Sequence, residues 1–70
     1  KVIADESSNK VIGGAIIGPH ATELIAEIAL AIQNGLTTKQ VAETVHAHPT
    51  LAESVHEATL AALDGALHIV

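Results

Sequence analysis

The 70-residue chain has no cysteine, no aromatic residue, no methionine and no arginine. Without cysteine there is no disulfide and no thiolate metal ligand, and the redox compartment is left open. Without aromatic bulk, any core is built from Leu, Ile, Val and Ala. Basic charge is scarce: Lys1, Lys10 and Lys39 stand against eight acidic residues, for a net charge of −5. That argues against nucleic acid or an anionic membrane as partner, since both need a Lys/Arg footprint. No stretch reaches the roughly 18 uninterrupted apolar residues of a membrane span. The opening KVIADESSNK carries no signal-peptide pattern.

What is present is aliphatic. Apolar residues make up 49% of the chain, and the mean hydropathy is +0.42. A chain this short forms one domain at most and buries about 60% of its unfolded surface. Apolar surface should therefore stay uncovered, which points to a partner. The competing reading is a self-contained Ala/Leu/Ile bundle. The chain starts in a strand-like stretch with Lys1 rather than methionine, so it reads as a piece of something longer or as an engineered segment.

Lys1–Ala4 and Lys10–Ile17 are rich in Val and Ile and are joined by the polar cluster DESSN. This pattern predicts an antiparallel hairpin. Gly13 and Gly14 inside the second run predict a bulge or a close backbone approach. From Ala21 to Asn34 the spacing is helical and apolar around most of the circumference, so this helix should be largely buried. Glu23 and Glu27, four apart, share one of its faces. Gly35 is a natural stop. Thr37-x-x-Gln40 fits a capping box opening a second helix to about Val45, with Val41, Ala42 and Val45 inward. Thr50-x-x-Glu53 fits another, opening a third helix to about Leu63 with Leu51, Val55, Ala58, Ala62 and Leu63 inward. Gly65 ends it, and ALHIV is a tail or a short last strand. The class is α+β in the order β-β-α-α-α. Two strands are too little sheet to be stable alone, so further strands or a second copy are implied.

Candidate sites are few. Gly13 and Gly18 have the spacing of a phosphate-binding loop, but Pro19-His20 follow where Lys and Ser/Thr are needed. The glycines are read as structural. His46 and His48, two apart in an extended segment, suit zinc if joined by Glu53 or His56. This metal reading rests on a weak pattern, because no third ligand stands at a known spacing. His20 sits at a helix start, His68 has no evident partner, and His56 reads as a solvent-facing helix residue. The remaining pair is His48 and Glu53. Imidazole titrates near neutrality and suits proton transfer when a second group fixes its tautomer. Glu53, five residues on and across Pro49, can fold back to do this. The bland alternative has Glu53 bonding the Thr50 amide as part of a helix cap, with His48 a loop residue.

The segment HAHPTLAE, with KVIAD, VIGGAIIGPHATELIAEIALAI and TKQVAETV before it, resembles the C-terminal interface domain of dihydrolipoamide dehydrogenases, flavin-dependent disulfide oxidoreductases. The resemblance covers essentially the whole chain. It implies that residues 1–70 are the C-terminal part of a dimerisation domain, without the FAD and NAD domains. It implies a general acid/base role for His48, oriented by Glu53. In the family this histidine reaches across a homodimer to the partner's redox disulfide and takes a proton from dihydrolipoamide. It also implies a cis His48–Pro49 peptide, FAD and NAD bound by the full-length parent and not by this chain, and a lipoyl domain as partner. The implied compartment is cytoplasmic, or the mitochondrial matrix in a eukaryote. The isolated 70 residues are expected to be inactive, since no GxGxxG and no cysteine pair is present. His20 stands where the family often has an Asn cap. The alternatives are a non-catalytic homodimerisation module and, after it, a histidine metal-binding domain.

Overall fold

The structure is a computed structural model and describes residues 1–63. The expected stop at Gly65, the ALHIV segment and His68 lie outside the described residues. β1 (Val2–Ala4) and β2 (Val11–Gly14) form the expected antiparallel hairpin, followed by α1 (Ala21–Gln33), α2 (Thr38–Glu43) and α3 (Glu53–Leu63). The class is α+β in the order β-β-α-α-α. Among the described residues no helix is long and apolar enough to cross a membrane.

The hairpin turn is organised by Asp5. Its Oδ2 accepts from the Ser7 hydroxyl at 2.9 Å, the Ser8 amide at 3.0 Å and the Ser8 hydroxyl at 2.6 Å. Asn9 completes the turn at φ 63°, a left-handed conformation that Asn tolerates. Val2 faces Gly14, Ile3 faces Gly13 and Ala4 faces Val11, so Ile12 is the extra residue of a bulge beside the two glycines. The second strand ends at Gly14 and not at the expected Ile17. Ala15 still donates to the Lys1 carbonyl at 3.0 Å, and Ile17 is 99% exposed.

Gly14 is the close approach. A Cβ there would lie 2.9 Å from both Cδ1 and Cγ2 of Ile28 and 3.0 Å from the Lys1 carbonyl oxygen. The missing side chain lets α1 lie directly on β2. α1 closes with the Gly35 amide donating to Ile32 O at 3.2 Å and the Leu36 amide to Ala31 O at 2.9 Å. Gly35 adopts φ 65°, completing a Schellman closure. The capping box at Thr37 forms in full: the Gln40 amide donates to Thr37 Oγ1 at 3.2 Å and the Thr37 amide to Gln40 Oε1 at 2.9 Å.

Val2 and Val11 of the sheet meet Ile28 and Ala31 of α1, Val41 of α2, and Val55, Ala58 and Ala62 of α3 in one core. Several aliphatic residues expected inside are outside. α1 is not largely buried: Ile28 and Ala31 are, while Leu30 and Ile32 are exposed. Val45, Leu51 and Leu63 are exposed as well. The physical reason is coverage. α1 has the two-stranded sheet on one side, and among the described residues no second layer covers its far side.

Candidate functional site

The site is built in the segment between α2 and α3. α2 ends when Thr44 turns extended, with its hydroxyl donating to Gln40 O at 2.9 Å. The chain then runs through His46, Ala47 and His48 to a cis His48–Pro49 peptide. The Thr50 hydroxyl donates to Ala47 O at 2.6 Å, closing the turn around the proline. α3 begins at Glu53.

The structure brings the predicted pair together. Nδ1 of His48 lies 3.0 Å from each carboxylate oxygen of Glu53. Glu53 Oε1 also accepts from the Thr50 amide at 3.0 Å. The second capping box is therefore half made. The Thr50 hydroxyl is drawn to Ala47, and the Glu53 amide donates instead to the Thr50 carbonyl at 3.3 Å. The helix begins at Glu53, two residues later than a Thr50 cap implies, and this carboxylate serves the amide and the imidazole together. The two readings of Glu53, cap and orienter, are one arrangement.

The electrostatics follow. The Thr50 amide first, and the His48 ring second, hold the Glu53 carboxyl below its ordinary value. An ionised carboxylate only accepts, so the imidazole proton sits on Nδ1 and the lone pair on Nε2. The His48 side chain is 81% exposed, so that nitrogen opens outward. An oriented imidazole with an accessible basic nitrogen can take a proton from an acid presented to it.

His46 behaves differently from its neighbour. Its side chain is 5% exposed, with Nε2 2.5 Å from Glu27 Oε2 of α1 and Nδ1 2.8 Å from Thr44 O. Its ring stacks on His56 at a centroid distance of 4.8 Å and an angle of 17°. His56 is not the solvent-facing residue expected. Its Nε2 donates to Ala42 O at 3.0 Å, tying α3 to α2. Both nitrogens of His46 are committed to protein oxygens. Among the described residues no group of three or more His, Asp or Glu side chains could hold a metal ion, so the His46/His48 metal reading is corrected. Sequence reasoning missed the Glu27–His46 contact. Its available signal was Glu27 itself, a carboxylate flanked by Ala26 and Ile28 in an aliphatic helix.

The remaining candidates are minor. His20 takes φ 63° and makes no side-chain cap to α1. Its Nδ1 lies 3.7 Å from the exposed Glu23 carboxylate. Gly13 and Gly14 serve strand and helix packing, and these residues do not fit a phosphate-binding loop: no ammonium follows Gly18, and Ile28 fills the space above Gly14.

The family model for the dimerisation domain of pyridine nucleotide-disulphide oxidoreductases matches residues 1–59. The chain is 56% identical over 68 residues to a dihydrolipoyl dehydrogenase of Haloferax volcanii, covering 97% of this chain and 14% of that protein. It is 52% identical over 68 residues to one from Chlamydia muridarum, with 97% and 15% covered. With that of Geobacillus stearothermophilus it shares 44% identity over 70 residues, covering 100% and 15%. The chain thus spans 14–15% of the length of these relatives. No solved structure matches it.

Proposed function

We propose a function that starts from a plain premise: the chain belongs to the dimerisation-domain family of pyridine nucleotide-disulphide oxidoreductases. Residues 1–70 are the C-terminal part of that domain in a dihydrolipoyl dehydrogenase, and they pair with a second copy to form a homodimer. The exposed aliphatic residues Ile17, Leu30, Val45 and Leu51 supply the uncovered surface that such an association needs.

His48 and Glu53 are the chain's share of a composite active site. Nε2 of His48 takes the thiol proton of dihydrolipoamide. The resulting thiolate attacks the redox disulfide of the partner subunit, forming a mixed disulfide and releasing one cysteine thiolate. The carboxylate of Glu53 holds the ring and stabilises the imidazolium. Flavin and nicotinamide would be held by other parts of the parent and would supply its electron-accepting chemistry. A lipoyl domain delivers the substrate.

The observation that carries this reading is the double 3.0 Å contact of Glu53 on Nδ1 of His48, which leaves Nε2 basic and open. The test is His48→Gln in the full-length enzyme. Loss of one general base lowers turnover about 10²–10⁴-fold. Unchanged turnover would leave the non-catalytic association module as the correct reading.

A further inference from the structure

We propose that Glu27 and His46 are positioning residues for His48, a role that rests on the acid/base reading of His48. His46 lies two residues before His48 on the same short segment, and it is anchored on three sides. Glu27 of α1 holds Nε2 at 2.5 Å, the Thr44 carbonyl holds Nδ1 at 2.8 Å, and the ring of His56 lies flat against it. Two protons serve this arrangement, one on Nδ1 and one between Nε2 and the Glu27 carboxylate, whichever of the two partners formally carries it.

The second half of the argument concerns α3. This helix carries both supports of the loop, one turn apart. Glu53 receives His48 and His56 receives His46. The His-Ala-His segment is thereby docked on α3 at two points, and Glu27 adds a third point from α1. The His48 ring is itself exposed and held by a single carboxylate. Its reach toward a reacting atom outside the chain depends on where the backbone at His46–Ala47 is fixed. A well-packed aliphatic pair would fill the same space without desolvating a carboxylate and an imidazole. What an aliphatic pair would lack is directional anchoring of one backbone segment. Acid/base geometry is sensitive to displacements of about 1 Å, which can cost on the order of 10²-fold in rate.

The test is a double-mutant cycle in the full-length, flavin-loaded dimer, with kcat and KM measured per flavin. Glu27→Ala should lower kcat about tenfold or more and leave KM within about twofold. Combined with His48→Gln, Glu27→Ala should cause no further loss, because a residue that acts through His48 has nothing left to position. A Glu27→Ala enzyme with full kcat overturns the proposal. So does a double variant that loses the same factor again, since Glu27 would then act independently of His48. If Glu27→Ala does not assemble, Glu27→Asp keeps the charge, withdraws it by one methylene and is read by the same cycle. Full turnover in His48→Gln alone is a different result. It removes the acid/base reading itself, and the positioning role with it.

Discussion

Glu53 sets both carboxylate oxygens 3.0 Å from Nδ1 of His48, five residues earlier and across a cis proline. The charge on that carboxylate keeps the imidazole proton on Nδ1. Glu53→Gln is nearly isosteric but offers an amide N–H to the same nitrogen, which favours the opposite tautomer and occupies Nε2 with the proton. Turnover in the full-length enzyme is expected to fall on the order of 10²-fold or more, with KM little changed. Steady-state kinetics on the flavin-loaded dimer checks this, and an unaltered kcat would mean that Glu53 serves only the Thr50 amide.

The same carboxyl makes an acid-side prediction. Its folded-state value is held below the ordinary 4.5, by the Thr50 amide first and His48 second. A depressed folded value favours the ionised form in the native state. Its stabilising contribution is therefore complete above about 4.5 and is lost as pH falls through the lowered value. Thermal unfolding of the parent chain and Glu53→Gln should differ at neutral pH and converge on acidification below 4.5. A difference that persists in acid would place the effect in packing and not in charge.

Gly14 tests how α1 is seated. Alanine would bring its Cβ to 2.9 Å from two Ile28 atoms and 3.0 Å from the Lys1 carbonyl oxygen. One of these is backbone and one is the branched methyl of isoleucine, so neither swings aside freely. Gly14→Ala should cost about 1–3 kcal/mol, and Ile28→Val in the same background should recover part of it by removing the Cδ1 contact. Equal melting temperatures for Gly14→Ala and the unchanged protein would show that α1 is free to lift.

The exposed aliphatic surface predicts self-association. Sedimentation equilibrium across micromolar concentrations should show a dimer. A monomer throughout that range would contradict the reading of Leu30, Val45 and Leu51 as uncovered interface residues.

Much of this was legible in the residues. The hairpin could be read from two Val/Ile runs around DESSN, and the Thr37–Gln40 cap and the Gly35 stop from turn chemistry that is local in sequence. The His48–Glu53 pair was also local, five residues apart on either side of a proline. What failed was long-range. Leu51, Val45 and Leu30 have the periodicity of core residues and are exposed, because periodicity marks the face that needs covering and not what covers it. Thr38 and Thr59 are polar, yet both are buried. Thr59 manages this by donating to the Val55 carbonyl within its own helix at 2.8 Å. The Glu27–His46 contact joins residues 19 apart, and no local pattern pairs them. His56, expected to face solvent, instead stacks on the His46 ring and bonds the Ala42 carbonyl, partners 10 and 14 residues away that no local pattern announces.

The central claim is that His48 of one subunit serves the disulfide of the other. It is tested most directly by a hybrid dimer of the full-length enzyme, purified through two different tags. One subunit carries His48→Gln with its cysteine pair intact. The other keeps His48 and has its cysteine pair replaced. Neither parent homodimer turns over. If the histidine acts across the interface, the hybrid contains one complete site and shows about half the activity of the unmodified dimer. If the histidine acts within its own subunit, the hybrid contains no complete site, and a hybrid as inactive as the two homodimers would contradict the account.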